Sequence, residues 1–259
     1  MSDSGPETKT EPAEIADDAV IPTTALVTGA NRGLGLEIAR QLGALGTTVF
    51  LGSRESTNGD AAAEELRREG HDVRAVQLDV TDQASVDAAA VAIAAEVDHL
   101  DVLVNNAGGN FDFGHAVLGS DVEMIAGIVD ANCFGAMRCV NALLDLLRAA
   151  PNARIVNVTS EAGSHAGPMG LPTQQDNLAG YAVAKAAQNA YTRKLASALE
   201  DSSVLVTAIS PGFVATQPGS ENMGARPVSD GAMSVVWGAT LPVGTPTGGY
   251  FRDGVPVEF

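Results

Sequence analysis

The sequence predicts a single α/β domain: a doubly wound parallel sheet with helices on both faces. Three observations carry that reading. Short apolar runs recur along the chain, stretches with helical spacing fall between them, and the runs are continuous rather than alternating. Continuous apolar strands are buried on both faces, and the intervening helices supply the crossovers that parallel pairing requires. A length of 259 residues fits one such domain, and 45% hydrophobic residues is the content of a packed globule.

The elements follow in order. Ala25-Leu26-Val27 is a buried strand that ends in glycines, and Leu34 to Leu45 has helical spacing (Leu34, Ile38, Leu42, Leu45), stopped by Gly46. Thr47 to Leu51 is a β-branched second strand. Ala61 to Glu69 reads as a charged, exposed helix, and Val73 to Leu78 as a third strand ending at Asp79. Ser85 to Glu96 is an Ala-rich helix, and Val102 to Val104 runs into Asn105. Val122 to Arg148 is a long helical stretch with an interruption expected near Asn132. Arg154 to Val158 is a strand, Tyr181 to Leu199 a helix, and Val204 to Ile209 a strand that stops at Pro211. The remainder is rich in Gly and Pro, with one helix near Asp230 to Thr240.

Residues 1–22 are polar and acidic, and read as a disordered tail ahead of a domain over 23–259. The tail lacks the cationic start and apolar core of a secretory signal, and no apolar run is long enough to span a bilayer. Fifteen basic against 32 acidic residues give a net charge of −17, which repels phosphate backbones and anionic lipid. Nucleic acid and membrane partners are therefore not expected. Cys133 and Cys139 are six apart in one helical stretch, which fits buried small side chains in a reducing cytoplasm better than a disulfide or a metal site.

The turn Thr28-Gly29-Ala30-Asn31-Arg32-Gly33-Leu34-Gly35 follows the first strand and opens the first helix. Gly29 allows a tight turn, Gly33 lets a pyrophosphate approach the backbone, and Gly35 permits close helix packing. The helix N-terminus favours phosphate charge. The spacing is G-x-x-x-G-x-G rather than the common dinucleotide fingerprint. Arg54 lies nineteen residues after Gly35, just past the second strand, where an arginine accommodates a ribose 2′-phosphate. With Arg32 inside the loop, two cations at these points of an acidic chain favour NADP(H), with NAD(H) as the alternative. Glu55 stands beside Arg54 and is able to face the ribose instead.

Five short motifs in this order resemble the short-chain dehydrogenases/reductases, from Thr24 to the C-terminus. Thr28–Gly35 is similar to that family's TGxxxGxG loop, and Asp79-Val80 to its adenine-contacting pair. Asn105-Asn106-Ala107-Gly108 resembles its NNAG segment, Tyr181-Ala182-Val183-Ala184-Lys185 its YxxxK motif, and Pro211-Gly212 its post-strand turn. The resemblance implies a Rossmann-type fold and a nicotinamide cofactor held by Gly29, Asn31, Arg32, Gly33, Leu34, Gly35, Arg54, Asp79, Val80, Asn106, Ala107, Gly108, Tyr181, Lys185, Pro211, Gly212, Val214 and Thr216. It implies Asn132 as the holder of a water in a proton relay, Ser160 as the catalytic serine with Thr159 as its rival, and Thr216 as a nicotinamide carboxamide contact.

The chemistry is also readable from residue types. Tyr181 and Lys185 are four apart on a helix and share a face. A nearby ammonium favours the phenolate, so Lys185 is expected to lower the Tyr181 pKa toward the range useful for acid–base work. Ser160 is able to donate to a substrate oxygen where charge changes. Hydride transfer between nicotinamide and a carbonyl or alcohol follows, with Tyr181 moving the proton. A cofactor-sensing regulatory protein, and a lyase or epimerase on the same fold, are the alternatives. No G-x-S-x-G elbow surrounds Ser160, which counts against a hydrolase triad despite His165 nearby.

Ser160 and Tyr181 are twenty-one apart. The intervening segment, roughly residues 167–180, resembles the insertion of the carbonyl-reductase-like branch, as does Gly248 to Gly254. An insertion there bears on subunit pairing, so both a monomer and a homo-oligomer fit. Phe111, Phe113, Met169, Leu171 and Phe213 are expected to make the site apolar, for a small carbonyl or alcohol substrate with a hydrophobic body. His115 and His165 are candidates for its mouth, and Met223 to Arg226 reads as a flexible lid.

Overall fold

The computed structural model describes residues 14–109, 112, 116–166, 170–172 and 178–259. Eight strands form one sheet in the order β3-β2-β1-β4-β5-β6-β7-β8. They are β1 (Thr24–Val27), β2 (Thr48–Ser53), β3 (Val73–Gln77), β4 (Val102–Asn105), β5 (Arg154–Val158), β6 (Leu205–Ser210), β7 (Gly249–Arg252) and β8 (Val255–Pro256). All neighbours pair in parallel except β7 and β8.

The helices are α1 (Gly33–Ala44), α2 (Ser56–Arg68), α3 (Gln83–Ala94), α4 (Val122–Val129), α5 (Gly135–Ala149), α6 (Ala179–Ala198) and α7 (Val228–Ala239). The strands alternate between two cores although their sequences do not alternate in polarity. Ala25 and Val27 of β1 join Ile38, Leu42, Leu66 and Val235 beneath α1, α2 and α7. Leu26 points the other way, into a core with Phe50, Ile93, Leu143 and Leu147 beneath α3 and α5. Burial on both faces is what the continuous apolar runs require.

The expected break near Asn132 is a π-helical segment, Asp130–Phe134, between α4 and α5. Single π turns of this kind interrupt the regular helical hydrogen-bond ladder and are frequent at functional sites. Two differences from the sequence reading stand out. Helix α2 begins at Ser56 rather than Ala61, because Gly59 N–H already donates to the Glu55 carbonyl at 3.1 Å and carries the helix through Thr57-Asn58-Gly59. The C-terminal residues also add β7 and β8, which the Gly/Pro-rich composition hid. Asp253 and Gly254 both have positive φ (51° and 75°) and join the two strands as a two-residue hairpin loop.

At the other end of the described chain, Ile15 packs against the first core and Val20 N–H donates to the Thr240 carbonyl at 3.1 Å. Among the described residues no helix is long and apolar enough to cross a membrane. The strand order reverses between β1 and β4. In open sheets of this kind the crevice outside the carboxyl ends of the strands, at that reversal, is where ligands bind.

Candidate active site

The segments that follow the strands meet at that crevice. The turn after β1 and the segment after β4 hold each other directly. Thr28 Oγ1 accepts from the amides of Asn106 (3.0 Å) and Ala107 (2.9 Å), and Asn106 Nδ2 donates to the carbonyls of Thr28 (2.8 Å) and Gly29 (3.2 Å). Gly35 makes this contact possible: a Cβ there would lie 2.5 Å from both Asn106 Nδ2 and the Gly29 carbonyl oxygen. Thr216 in the loop after β6 faces the same turn, its Cγ2 lying 3.7 Å from where a Gly33 Cβ would be.

The N-terminus of α1 opens into this crevice. Its first turn holds no acidic residue, and Arg32 at the N-cap makes no side-chain cap bond. The orphan amides of a helix start, with the positive end of its dipole, attract phosphate. The turn therefore fits a dinucleotide pyrophosphate. Arg32 and Arg54 are exposed, and the Arg54 guanidinium, just past β2, makes a loose ion pair with Glu55 at 3.8 Å. Asp79 is held after β3 by Ser85, whose Oγ accepts from the Asp79 amide at 2.8 Å, and Val80 is buried. Pro211 and Gly212 form the turn after β6, and Val214 behind it bridges to Arg226.

The residues expected to handle the proton lie on β5's end, the π segment and α6. Tyr181 and Lys185 are both almost fully buried, with the Lys185 amine 5.6 Å from the centre of the Tyr181 ring. Ser160 hydrogen-bonds to the Tyr181 hydroxyl and also caps the short turn Glu161–Gly163, accepting from Ala162 N–H at 3.2 Å. Lys185 Nζ donates to the Val158 carbonyl (2.8 Å) and to Gln188 Oε1 (3.0 Å). Asn132 is wholly buried; its Nδ2 donates to the Ile128 carbonyl at 2.9 Å and its Oδ1 accepts from Gly109 N–H at 3.4 Å. Thr159 turns away from the site and donates to Asn189 Oδ1 at 2.6 Å. That contact favours Ser160 over Thr159 as the serine or threonine at the site.

The electrostatics differ from the sequence expectation. Burial pushes the Tyr181 phenol up to about 12, opposed by the hydrogen bond from Ser160. Burial also pulls the Lys185 amine down to about 7. Desolvation disfavours whichever form is charged, so a buried phenol rises and a buried amine falls. A lysine that has lost much of its charge near neutrality is a weak lever on its neighbour, and the expected lowering of Tyr181 is not found in the protein by itself.

A buried polar chain supports the site from below and escaped the sequence reading. Asn105 Nδ2 donates to Asn157 Oδ1 (2.9 Å), Asn157 Nδ2 to Thr192 Oγ1 (2.9 Å), and Thr192 Oγ1 to the Gln188 carbonyl (2.9 Å). Asp112, which holds the start of α6, escaped it too. Asparagines inside an apolar strand, as in Val156-Asn157-Val158, were the available signal, since buried polar groups demand partners.

Several mouth residues differ from expectation or lie outside the description. Phe111, Phe113, His115 and Met169 lie outside the described residues, as does most of the 167–180 segment. Leu171 and Phe213 are exposed. The Met223–Arg226 segment is anchored at its end, because Arg226 pairs with Asp253 at 2.7 Å and its amide donates to the Phe213 carbonyl at 2.8 Å. Cys133 and Cys139 are buried free thiols.

The family model for short chain dehydrogenases matches residues 23–224. The (+)-neomenthol dehydrogenase of Arabidopsis thaliana is 32% identical, over 92% of this chain and 98% of its own length. A metagenomic short-chain oxidoreductase in complex with NADP is 27% identical with a TM-score of 0.73, covering 89% of this chain and 96% of that one. The fold is also that of the NADPH-bound carbonyl reductase from chicken fatty liver, with a TM-score of 0.81 at 24% identity over 92% of this chain and 99% of that one. The chain belongs to the short-chain dehydrogenase/reductase family of oxidoreductases.

Proposed function

We propose that this chain is an NADP(H)-dependent carbonyl reductase, converting a hydrophobic ketone or aldehyde to its alcohol, with Tyr181 as the proton donor. The observation that carries the reading is the buried Tyr181, bonded to Ser160 and followed one helical turn later by Lys185. A bound nicotinamide dinucleotide supplies the hydride, and the turn from Gly29 to Gly35, Asn106 to Gly108 and the loop from Pro211 to Thr216 would hold it.

The residues divide the remaining work. Ser160 Oγ holds the carbonyl oxygen as negative charge develops there. Tyr181 Oη gives that oxygen its proton. Burial favours this direction, because a phenol pushed up to about 12 carries its proton at neutral pH. Lys185, with a pKa near 7, is able both to hold and to release a proton near neutrality, and so to reload the phenol. Asn132, in the π segment, would hold the water that connects Lys185 to solvent. The NADP- and NADPH-bound solved relatives support the phosphorylated cofactor, as do Arg32 and Arg54.

The test is NADPH oxidation by the purified chain with a panel of cyclic and aromatic ketones. Turnover is expected, and Tyr181→Phe is expected to lower kcat by about a hundredfold or more while leaving NADPH affinity within a few fold. Tight NADPH binding with no turnover of any ketone or aldehyde would remove the enzyme reading. A fully active phenylalanine variant would remove Tyr181 from the role.

A further inference from the structure

Helix α6 carries Tyr181 and Lys185, and its start is held from a distance. Leu178, at the N-cap, has a left-handed φ of 68° and makes no side-chain cap bond. The orphan amides are instead taken by a carboxylate from the loop after β4. Asp112 Oδ2 accepts from Gly180 N–H at 2.7 Å, and Asp112 Oδ1 accepts from Tyr181 N–H at 3.1 Å. Asp112 is only 2% exposed.

The fit is close. A Cβ on Gly180 would lie 3.1 Å from Asp112 Oδ2, 3.0 Å from Ile125 Cγ1 and 3.1 Å from Ile128 Cδ1. The first turn of α6 is therefore clamped between α4 and this carboxylate. A buried carboxylate is costly unless charge-assisted hydrogen bonds compensate, and a helix N-terminus supplies both donors and a favourable dipole. Asp112 lies four residues beyond Gly108, in the chain segment that begins against the glycine turn. One loop thus joins the wall of the cofactor crevice to the backbone of Tyr181.

We propose that Asp112 is the positioning residue for Tyr181: a remote cap that fixes the first turn of α6 and thereby the place of the phenol relative to Ser160 and the substrate. The proposal rests on Tyr181 being the proton donor. It differs from general helix stabilisation in what it predicts, because misplacing a reacting group lowers kcat with little change in binding.

The experiment compares Asp112→Ala and Asp112→Asn in the full chain, using the best ketone of the panel, NADPH titration and hydrogen exchange of the peptide over residues 178–186. The alanine variant is expected to lose about tenfold or more in kcat, with KM and NADPH Kd within about threefold, and to exchange faster in the first turn of α6. The asparagine variant, which keeps an acceptor oxygen, is expected to recover part of both the rate and the protection. A kcat within about twofold of the parent in the alanine variant would overturn the proposal. So would variants that lose kcat and NADPH affinity together and to the same degree. If the alanine chain does not fold, the asparagine variant decides: faster exchange in the first turn of α6 with a lower kcat at unchanged NADPH Kd supports the proposal, and faster exchange with parent-like kcat sinks it. If the parent reduces no ketone, the function fails separately. The exchange result then still judges the cap, and unchanged protection in the alanine variant defeats it.

Discussion

The starts of α1 and α6 are built from the same physics and used in opposite ways. Each has orphan amides, a positive dipole end, no side-chain cap from its own N-cap residue and no acid in its first turn. At α1 no side chain among the described residues caps the start, and the glycine turn opens it toward the crevice. At α6 the buried Asp112 carboxylate fills it. The difference teaches where a ligand is meant to go. An open helix start receives an anion, whereas one closed by the protein's own anion anchors the side chains that the helix carries. By contrast, α3 and α4 are capped locally by Asp82 and Asp121, as surface helices commonly are.

The comparison breaks most severely at Gly35. A Cβ there meets a backbone oxygen at 2.5 Å, which cannot move aside cheaply. Gly35→Ala is expected to weaken NADPH binding by more than about tenfold and to cost about 1–3 kcal/mol of stability, read as a Tm lower by several degrees. Unchanged binding with a lowered Tm would show that the turn is structural only. A smaller effect is expected at the far end of the same crevice. Arg54→Asp should weaken NADPH by about tenfold and NADH much less, since one charge-assisted bond to a 2′-phosphate is removed and the arginine is well exposed. Equal losses for both cofactors would show that Arg54 reads something other than the phosphate.

The two helix starts also differ in how visibly the sequence announces them. The turn at α1 is announced locally, because strand, glycines and helix follow within a dozen residues, although Asn106 and Ala107, which brace it, come from the distant segment after β4. The same holds for β1, β2, β4, β5 and β6, whose largely apolar runs register directly as buried strands. The cap of α6 is non-local. Asp112 and Gly180 are 68 residues apart, and a lone aspartate in a loop carries no mark of its partner. Strands β7 and β8 were hidden for a different reason. Tyr250-Phe251 is too short a run to declare a strand, and pairing with β6 decides its state. The Asp253-Gly254 dipeptide was a readable hairpin signal. The electrostatics were the least legible, because charge pairing is visible in a sequence while burial is a property of the whole fold. Tyr181 and Lys185 share a face as expected, yet desolvation outweighs their mutual influence.

That last point yields the most direct measurement of what anchoring α6 imposes on its lysine. Lys185 is pulled from an ordinary 10.5 to about 7 by burial. Below pH 7 the amine is charged in both folded and unfolded chains, and folding bears the whole desolvation cost. Between pH 7 and 10.5 the unfolded chain keeps the proton and the folded chain releases it, so this group makes stability rise with pH across that window. Lys185→Met removes the titration while roughly preserving volume. It also leaves the Val158 carbonyl and Gln188 Oε1 without their donor, a cost that does not depend on pH. The offset between the two chains is therefore uninformative and the slope is decisive. The Tm of the methionine variant relative to the parent should be highest below pH 7 and should fall steadily toward pH 10.5. Tyr181 titrates higher, and it is common to both chains. A flat difference across that range would mean that the folded protein keeps Lys185 charged at its ordinary pKa, restoring the lysine as a lever on the phenol.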